Sequence, residues 1–388
     1  MEKTIAIVGA GFAGSLLARL LAENGMRVTV YERRGHIAGN MYDYTDENNI
    51  RIQKYGPHTF HTNLDHVYAL LQRFTEFTPY RLKCEAVIDG IPTPSPFNFK
   101  TIDQFFEPDY AAFLKEKLTV RYPQGKATVL EMLECDDADI RAYAQFLFEK
   151  DYKLYTAKQW GKKPEEIDPS VLRRVPIVFN YNDTYFYDKY EGLPRAGFTA
   201  LFENILDHPA ITVRLNEDAM AHICIDDESG TVLFDGQAQP VVFTGAIDEL
   251  FGWRFGRLPY RSLYFELERH DKKDYQNVAI VAHPADAAFT RITEYTKLPV
   301  QDVGNVTVIA KEYSVAFDRA NSRGNEPYYP VLTEESRAMC QTYQEYARRF
   351  HNLILCGRLA DFQYYNMDQV IDRTLTVFEA IKRQLSAE

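Results

Sequence analysis

Residues 4–14 (TIAIVGAGFAG), 15–23 (SLLARLLAE), Asn24-Gly25 and 27–32 (RVTVYE) decide the fold. The first five are apolar or β-branched and read as a short, fully buried strand. Gly9-Ala10-Gly11-Phe12-Ala13-Gly14 follows at once. Residues 15–23 then repeat apolar side chains at helical spacing, and Asn24-Gly25 ends them. Residues 27–31 form the next strand, with Glu32 at its C-terminal end. This is a dinucleotide-binding fingerprint in its expected setting. Gly9 permits the tight turn, Gly11 lets backbone approach a pyrophosphate, and Gly14 lets the helix pack on the strand. The helix N-terminus faces the phosphates. Glu32 lies 18 residues after Gly14, where a carboxylate can accept hydrogen bonds from a ribose hydroxyl.

The residues that follow favour FAD over NAD. Glu32-Arg33-Arg34-Gly35-His36-Ile37-Ala38-Gly39-Asn40 brings basic residues and a glycine turn just after the second strand, as in many FAD oxidoreductases. Gly56-Pro57-His58-Thr59-Phe60-His61 then reads as a rigid turn carrying two imidazoles. No nearby carboxylate or cysteine completes a metal site, so we expect no metal and a role at a flavin edge.

The whole chain sets outer bounds. Its 388 residues suggest two or three domains. Lys and Arg number 44 against 55 Asp and Glu, a net charge of −11. Such a chain is poorly suited to nucleic acid or anionic lipid, both of which attract basic patches. An anionic substrate would need arginines placed locally against this field. The five cysteines (Cys84, Cys135, Cys224, Cys340, Cys356) contain no CxxC pair. They read as buried, reduced thiols of a cytoplasmic protein. No run of 18 apolar residues is present, so no membrane insertion is expected.

Beyond the fingerprint, residues 64–74 have helical periodicity. Residues 84–96 alternate around Asp89-Gly90, a type I′ hairpin signal. Residues 101–158 read mostly as helix, with 137–160 as one long segment. A helical insertion between cofactor-binding strands suggests a second, mainly α domain. Several later segments concentrate Tyr, Arg, Thr and Trp: 152–161 (YKLYTAKQWG), 173–186 (RRVPIVFNYNDTYF), 289–294 (FTRITE), 327–330 (PYYP) and 356–368. Aromatics stack on a base, arginines grip phosphates, and hydroxyls bind sugar. From this chemistry alone, a nucleotide-sugar site and a solvated aromatic surface both stay open.

In order and spacing, these segments resemble the UDP-galactopyranose mutase family through nearly the whole chain. YTAKQW, RRVPIVFNYNDTYF and PYYP are the specific pieces, while GAGFAG and ERRGHIAGN are shared with many FAD oxidoreductases. The resemblance implies an α/β fold: a Rossmann-like FAD-binding domain with an inserted helical domain and an antiparallel-sheet substrate region. The FAD domain would comprise residues 1–80, 206–255 and 331–388. Residues 81–100 would be a sheet segment, 101–165 the helical insertion, 166–205 the substrate loop with sheet, and 256–330 the antiparallel sheet.

The implied activity is the interconversion of UDP-galactopyranose and UDP-galactofuranose, an isomerase reaction serving cell-surface polysaccharide. Reduced FAD would act through a covalent flavin N5–sugar adduct, with NAD(P)H as reductant. Carried over by position, Arg174 and Arg291 would clamp the diphosphate, with Arg174 on a mobile loop. Tyr155 would stack on uracil beside Tyr152 and Thr156, with Trp160 on the same wall. Tyr185 and Tyr329 would bond phosphate oxygens, and Tyr364 would lie near the sugar-phosphate end. His58, His61 and Arg358 would lie at the flavin, with His61 among the catalytic groups. The FAD set would be Gly9, Gly11, Phe12, Ala13, Gly14, Glu32, Arg33, Gly39, Asn40, Gly56, Pro57, His58, Arg358, Tyr365, Asn366 and Met367. Bacterial members are commonly homodimers.

The chain departs from the family pattern at Ala38, Leu82, 281–283, 287–289 and Asn366. These changes touch the flavin, sugar and base surroundings. A related mutase acting on UDP-GalNAc and an amine-oxidase-like FAD oxidoreductase are the alternatives.

Overall fold

The computed structural model describes residues 3–161, 163, 166, 175–285 and 287–387. Strand Thr4–Val8 pairs in parallel with Arg27–Glu32 on one side and Val241–Phe243 on the other. Ile211–Leu215 and Leu353–Leu355 extend the two edges, giving a five-stranded parallel sheet. The chain order reverses at Thr4–Val8. In such sheets ligands bind in the crevice beyond the strand ends at that reversal.

Helix Phe12–Glu23 starts three residues earlier than its apolar pattern suggests, directly after Gly11. Its face packs Leu17 and Leu21 on Ile5, Ile7, Val28 and Val30, and the long helix Met367–Ala387 adds Phe378 and Ile381 to this core. Gly14 is what lets the helix lie so close. A Cβ there would stand 1.9 Å from the Gly9 carbonyl oxygen.

A seven-stranded sheet forms the second layer. Its order is Tyr329–Pro330, Tyr260–His270, Thr307–Ala316, Arg291–Glu294, Ile280–Ala282, Cys84–Ile88 and Ile91–Ser95. It is antiparallel except where Ile280–Ala282 runs parallel to Cys84–Ile88. The hairpin joining its last two strands has Asp89 and Gly90 both at positive φ, as a type I′ turn requires.

The helical insertion packs on the seven-stranded sheet, with helices Phe99–Phe105, Pro108–Arg121, Val129–Leu133, Ala138–Leu147 and Lys153–Trp160. Leu114, Leu118, Met132, Ile140, Tyr143 and Leu147 form its buried core. Residues 137–160 are not one α-helix. A π-turn at Phe148–Tyr152 interrupts them. Such bulges widen the helix by one residue and recur at functional sites. All five cysteines are unpaired. Four are buried, but Cys224 is exposed on the strand Ile223–Asp226.

One long-range contact ties the first layer together. The Asp43 carboxylate accepts backbone N–H bonds from Phe198 and Thr199, both at 2.8 Å, and so caps helix Phe198–Leu206 from a distant strand. Asp43 is buried, so truncation leaves two helix donors unpaired. We expect Asp43→Ala to lose about 2 kcal/mol of stability in urea unfolding, with Asp43→Asn intermediate.

Candidate active site

Two clefts meet in the interior. The first is the crevice at the ends of the parallel strands, lined by Gly9, Gly11, Phe12, Ala13, Glu32, Arg33, Gly39 and Asn40. The second, about 350 Å³, lies between the helical insertion and the seven-stranded sheet. Arg358 and Met367 line both, so the clefts adjoin there.

The crevice fits a dinucleotide cofactor. No side chain caps the Phe12–Glu23 helix at Gly11, which leaves its first N–H groups for phosphate oxygens. A Cβ on Gly39 would stand 2.9 Å from the Gly11 Cα, so these backbones form a cradle that side chains would fill. The Glu32 carboxylate accepts from the Ala10 amide at 3.1 Å and from the Arg34 amide and Nε at 3.0 and 3.1 Å. Burial alone would raise its pKa, but Arg34 and these donors outweigh burial and hold it low. It therefore stays ionised, as a ribose acceptor must. Arg34, which the sequence reading did not single out, is its partner. Arg33 pairs with Glu326 at 2.5 Å on the wall of the same crevice.

The second cleft has one arginine at its centre. Arg291 opens its strand, and its Nε and Nη2 reach Glu312 at 2.8 and 2.7 Å. Glu312 sits directly across the ladder on strand Thr307–Ala316 and also accepts from Thr290 Oγ1 at 3.1 Å. Burial opposes the guanidinium charge, but the Glu312 carboxylate more than restores it, so Arg291 stays cationic. Glu312 was not among the expected site residues. Its role depends on strand register, which residues 311–314 (KEYS) alone do not reveal.

One helix face supplies much of the opposite wall. Asp151, Tyr152, Tyr155, Thr156 and Gln159 line the cavity at near-helical spacing, and Trp160 completes the stripe. Bonds to the sheet and to the loop before Arg291 anchor the helix end. The Gln159 carbonyl accepts from Arg261 Nε at 3.1 Å and from Ser314 Oγ, and Lys158 Nζ donates to the Ala287 carbonyl at 2.7 Å. Lys158 thus holds the loop before Arg291. Tyr152 is buried, and its hydroxyl donates to the Val175 carbonyl at 3.1 Å.

Where the clefts join, Trp160, Tyr329 and Tyr364 form an aromatic corner with centroids 5.1–6.2 Å apart. The Arg358 guanidinium lies over both tyrosines at 5.7 and 5.6 Å. His58 and His61 also face the cavity. His58 Nδ1 donates to the Gly56 carbonyl at 2.8 Å, and burial, then Arg358, drives its pKa down to about 3. It is therefore a neutral imidazole at physiological pH. His61 stacks on Phe186 at 3.6 Å, with Nδ1 2.5 Å from the Asp188 carboxylate.

Tyr185, Pro57 and Asn366 line the same cavity. Gly14, Gly56 and Tyr365 line neither cleft: Gly14 packs the helix on its strand, Gly56 turns against Phe265, and the Tyr365 carbonyl accepts from Arg358. Arg174 lies outside the described residues. Among the described residues, no cluster of three His, Cys, Asp or Glu could hold a metal, and no helix is long and apolar enough to cross a membrane.

This geometry defines a Rossmann-type α/β protein whose cofactor crevice adjoins an aromatic cleft that holds Arg291. Comparison with known proteins gives its family. The UDP-galactopyranose mutase model matches residues 150–364, and an NAD(P)-binding Rossmann-like model matches 7–74. A probable UDP-galactopyranose mutase of Klebsiella pneumoniae is 34% identical, over 98% of this chain and 94% of that one. A dTDP-fucopyranose mutase of Escherichia coli is 33% identical, over 97% of each. A solved structure of reduced UDP-galactopyranose mutase superposes with a TM-score of 0.71 at 16% identity, over 99% of this chain and 96% of that chain. The chain belongs to the UDP-galactopyranose mutase family. It is an isomerase of a flavin-dependent class.

The Arg291–Glu312 pair generates a stability prediction. Breaking a buried pair by removing one partner strands the other charge, at about 3–5 kcal/mol. Arg291 faces an open cavity, so we expect the lower end, about 3 kcal/mol, for Glu312→Leu in urea unfolding. Glu312→Gln should lose less, because its amide oxygen still accepts from Arg291.

Proposed function

We propose that this enzyme interconverts the pyranose and furanose forms of a galactose-type sugar on a uridine diphosphate, with FAD as its cofactor. The observation that carries this reading is the half-buried, cationic Arg291 in an aromatic cleft that adjoins the dinucleotide crevice. A cofactor is held from one side and an anionic, ring-bearing ligand from the other. The ligand's reacting end therefore meets the cofactor at Arg358, Trp160 and Tyr364.

Reduced flavin, when bound, supplies a nucleophilic N5 for the anomeric carbon, with NAD(P)H proposed as its source of electrons. The chain's own residues do the rest. Arg291 takes up negative charge as the diphosphate leaves, with Arg174 as the second arginine carried by the family resemblance. Glu312 keeps the Arg291 fork oriented. Tyr329 and Tyr185 offer hydroxyls to phosphate oxygens. Tyr155 stacks on the base. Trp160 and the tyrosines beside it exclude water while the sugar is detached. His58, held neutral, lines the cavity without adding a charge of its own. On the cofactor side, Glu32 takes the ribose, and Gly11, Gly39 and the helix N-terminus take the pyrophosphate.

A second reading is a thymidine diphosphate sugar. It is favoured by the similarity to the dTDP-fucopyranose mutase and by Leu82, Ala86 and Ala282 in the cavity wall. These apolar groups could receive a thymine methyl. A family-like homodimer is part of the proposal and is checked by light scattering.

The deciding experiment incubates dithionite-reduced and oxidised protein with UDP-galactose, UDP-GalNAc and dTDP-fucose, and reads products by chromatography. We expect furanose product from UDP-galactose with reduced protein only. Equal turnover in both redox states would overturn the flavin role, and turnover of dTDP-fucose alone would select the second reading. Arg291→Ala should lower kcat at least about 100-fold, the usual effect of deleting a transition-state donor, with FAD still bound by absorbance.

A further inference from the structure

One carboxyl in the cleft belongs to none of the pairs described above. Asp151 lies in the π-turn Phe148–Tyr152 and faces the cavity one turn before Tyr155. Among the described residues, none bonds or ion-pairs with it. Its neighbours Glu149 and Lys150 are engaged elsewhere, with Lys153 and Asp89 respectively. A bare carboxyl beside a diphosphate site would repel the ligand if ionised, so its presence asks for a reason.

Its position along the helix supplies one. The stripe 151, 152, 155, 156, 159, 160 runs from Asp151 to Trp160, about 13 Å at 1.5 Å per residue. Trp160 belongs to the corner with Tyr329, Tyr364 and Arg358, where the cavity meets the cofactor crevice. The sugar must be at that corner, and the base is the opposite end of a nucleoside diphosphate sugar. The base therefore falls at Asp151. The walls agree: Phe97 lies edge-on to Tyr152 at 5.9 Å, and Ala86 and Ala282 are apolar. This region suits a flat ring that needs a few polar contacts at its edge.

Resting on the nucleotide-sugar reading above, we propose that Asp151 is the base-reading residue and binds uracil or thymine as a neutral carboxylic acid. Its carbonyl oxygen accepts the ring N3–H and its O–H donates to an adjacent ring carbonyl. Both bases present this edge. A carboxylate could make only the first bond and would set a lone pair against the carbonyl. Burial raises the Asp151 carboxyl to about 7, so the acid form is populated near neutral pH. The titratable groups facing it are Glu85 across the cavity on strand Cys84–Ile88, and Tyr152, Tyr155 and Tyr185. Burial also raises Glu85, while Lys100 lowers it.

The test measures binding of UDP, dTDP and inorganic pyrophosphate to the FAD-loaded full-length protein by titration calorimetry at pH 6 and pH 8. The variants are Asp151→Asn, whose amide keeps one donor and one acceptor, and Asp151→Leu. Titration of the diphosphate itself cancels in the ratio of wild type to Asp151→Asn. We expect that ratio of affinities for UDP to fall about tenfold from pH 6 to pH 8, as the acid form is lost with a pKa near 7. Asp151→Leu should bind UDP at least about tenfold more weakly than wild type at pH 6, and all three proteins should bind pyrophosphate alike at that pH. A ratio that does not change with pH, or wild-type UDP affinity in Asp151→Leu, overturns the proposal while leaving the nucleotide-sugar reading intact. Failure of wild type to bind either UDP or dTDP overturns both.

Discussion

The Arg291–Glu312 pair is the constraint around which the interior is arranged. The chain carries a net charge of −11, so its average field disfavours an anionic ligand. A single guanidinium in a cavity would be costly to desolvate without a partner. Glu312 meets that requirement from directly across the strand ladder, and Thr290 holds one of its oxygens. The result is a positive group with a fixed orientation, its free edge turned to the cavity. The helical wall and the aromatic corner then have something to close against.

The same logic recurs at the cofactor crevice with the sign reversed. Glu32 is a buried anion kept ionised by Arg34 and two backbone amides. In each cleft a charged group thus has a protein partner that sets its geometry. Arg358 sits where the two clefts join, fixed over Tyr329 and Tyr364 and bonded to the Tyr365 carbonyl. The helical insertion contributes no charge to this pairing. It contributes a wall, and the π-turn adjusts which side chains that wall presents.

Residue type and local spacing carried much of this. Gly9, Gly11, Gly14 and Glu32 were readable because close backbone approach and a terminal carboxylate must occur at fixed offsets along the chain. The aromatic segments were readable as chemistry, and their order along the chain pointed to the family. Glu312, Arg34, Lys158 and Asp188 were not readable in this way. Each acts on a partner through register or a long-range contact, and nothing local marks a glutamate on an alternating strand as the one opposite Arg291. Asp151 was hidden for a different reason. Periodicity makes residues 137–160 one α-helix, and only the observed π-turn and cavity show it facing inward.

By itself, the sequence determined the parallel nucleotide-binding core, the helical insertion and the residue types available for an anionic sugar-nucleotide. These follow from short-range rules: strand and helix periodicity, glycine at close approaches, and a chain-wide excess of acid. The tertiary structure decided how the pieces face one another. It set the cofactor crevice beside the aromatic cleft, paired Arg291 with Glu312, held His58 neutral, and turned Asp151 to the cavity with no bonded partner among the described residues. Charge state and orientation depend on which groups share a low-dielectric interior, and that is a property of the packed chain rather than of any segment in it.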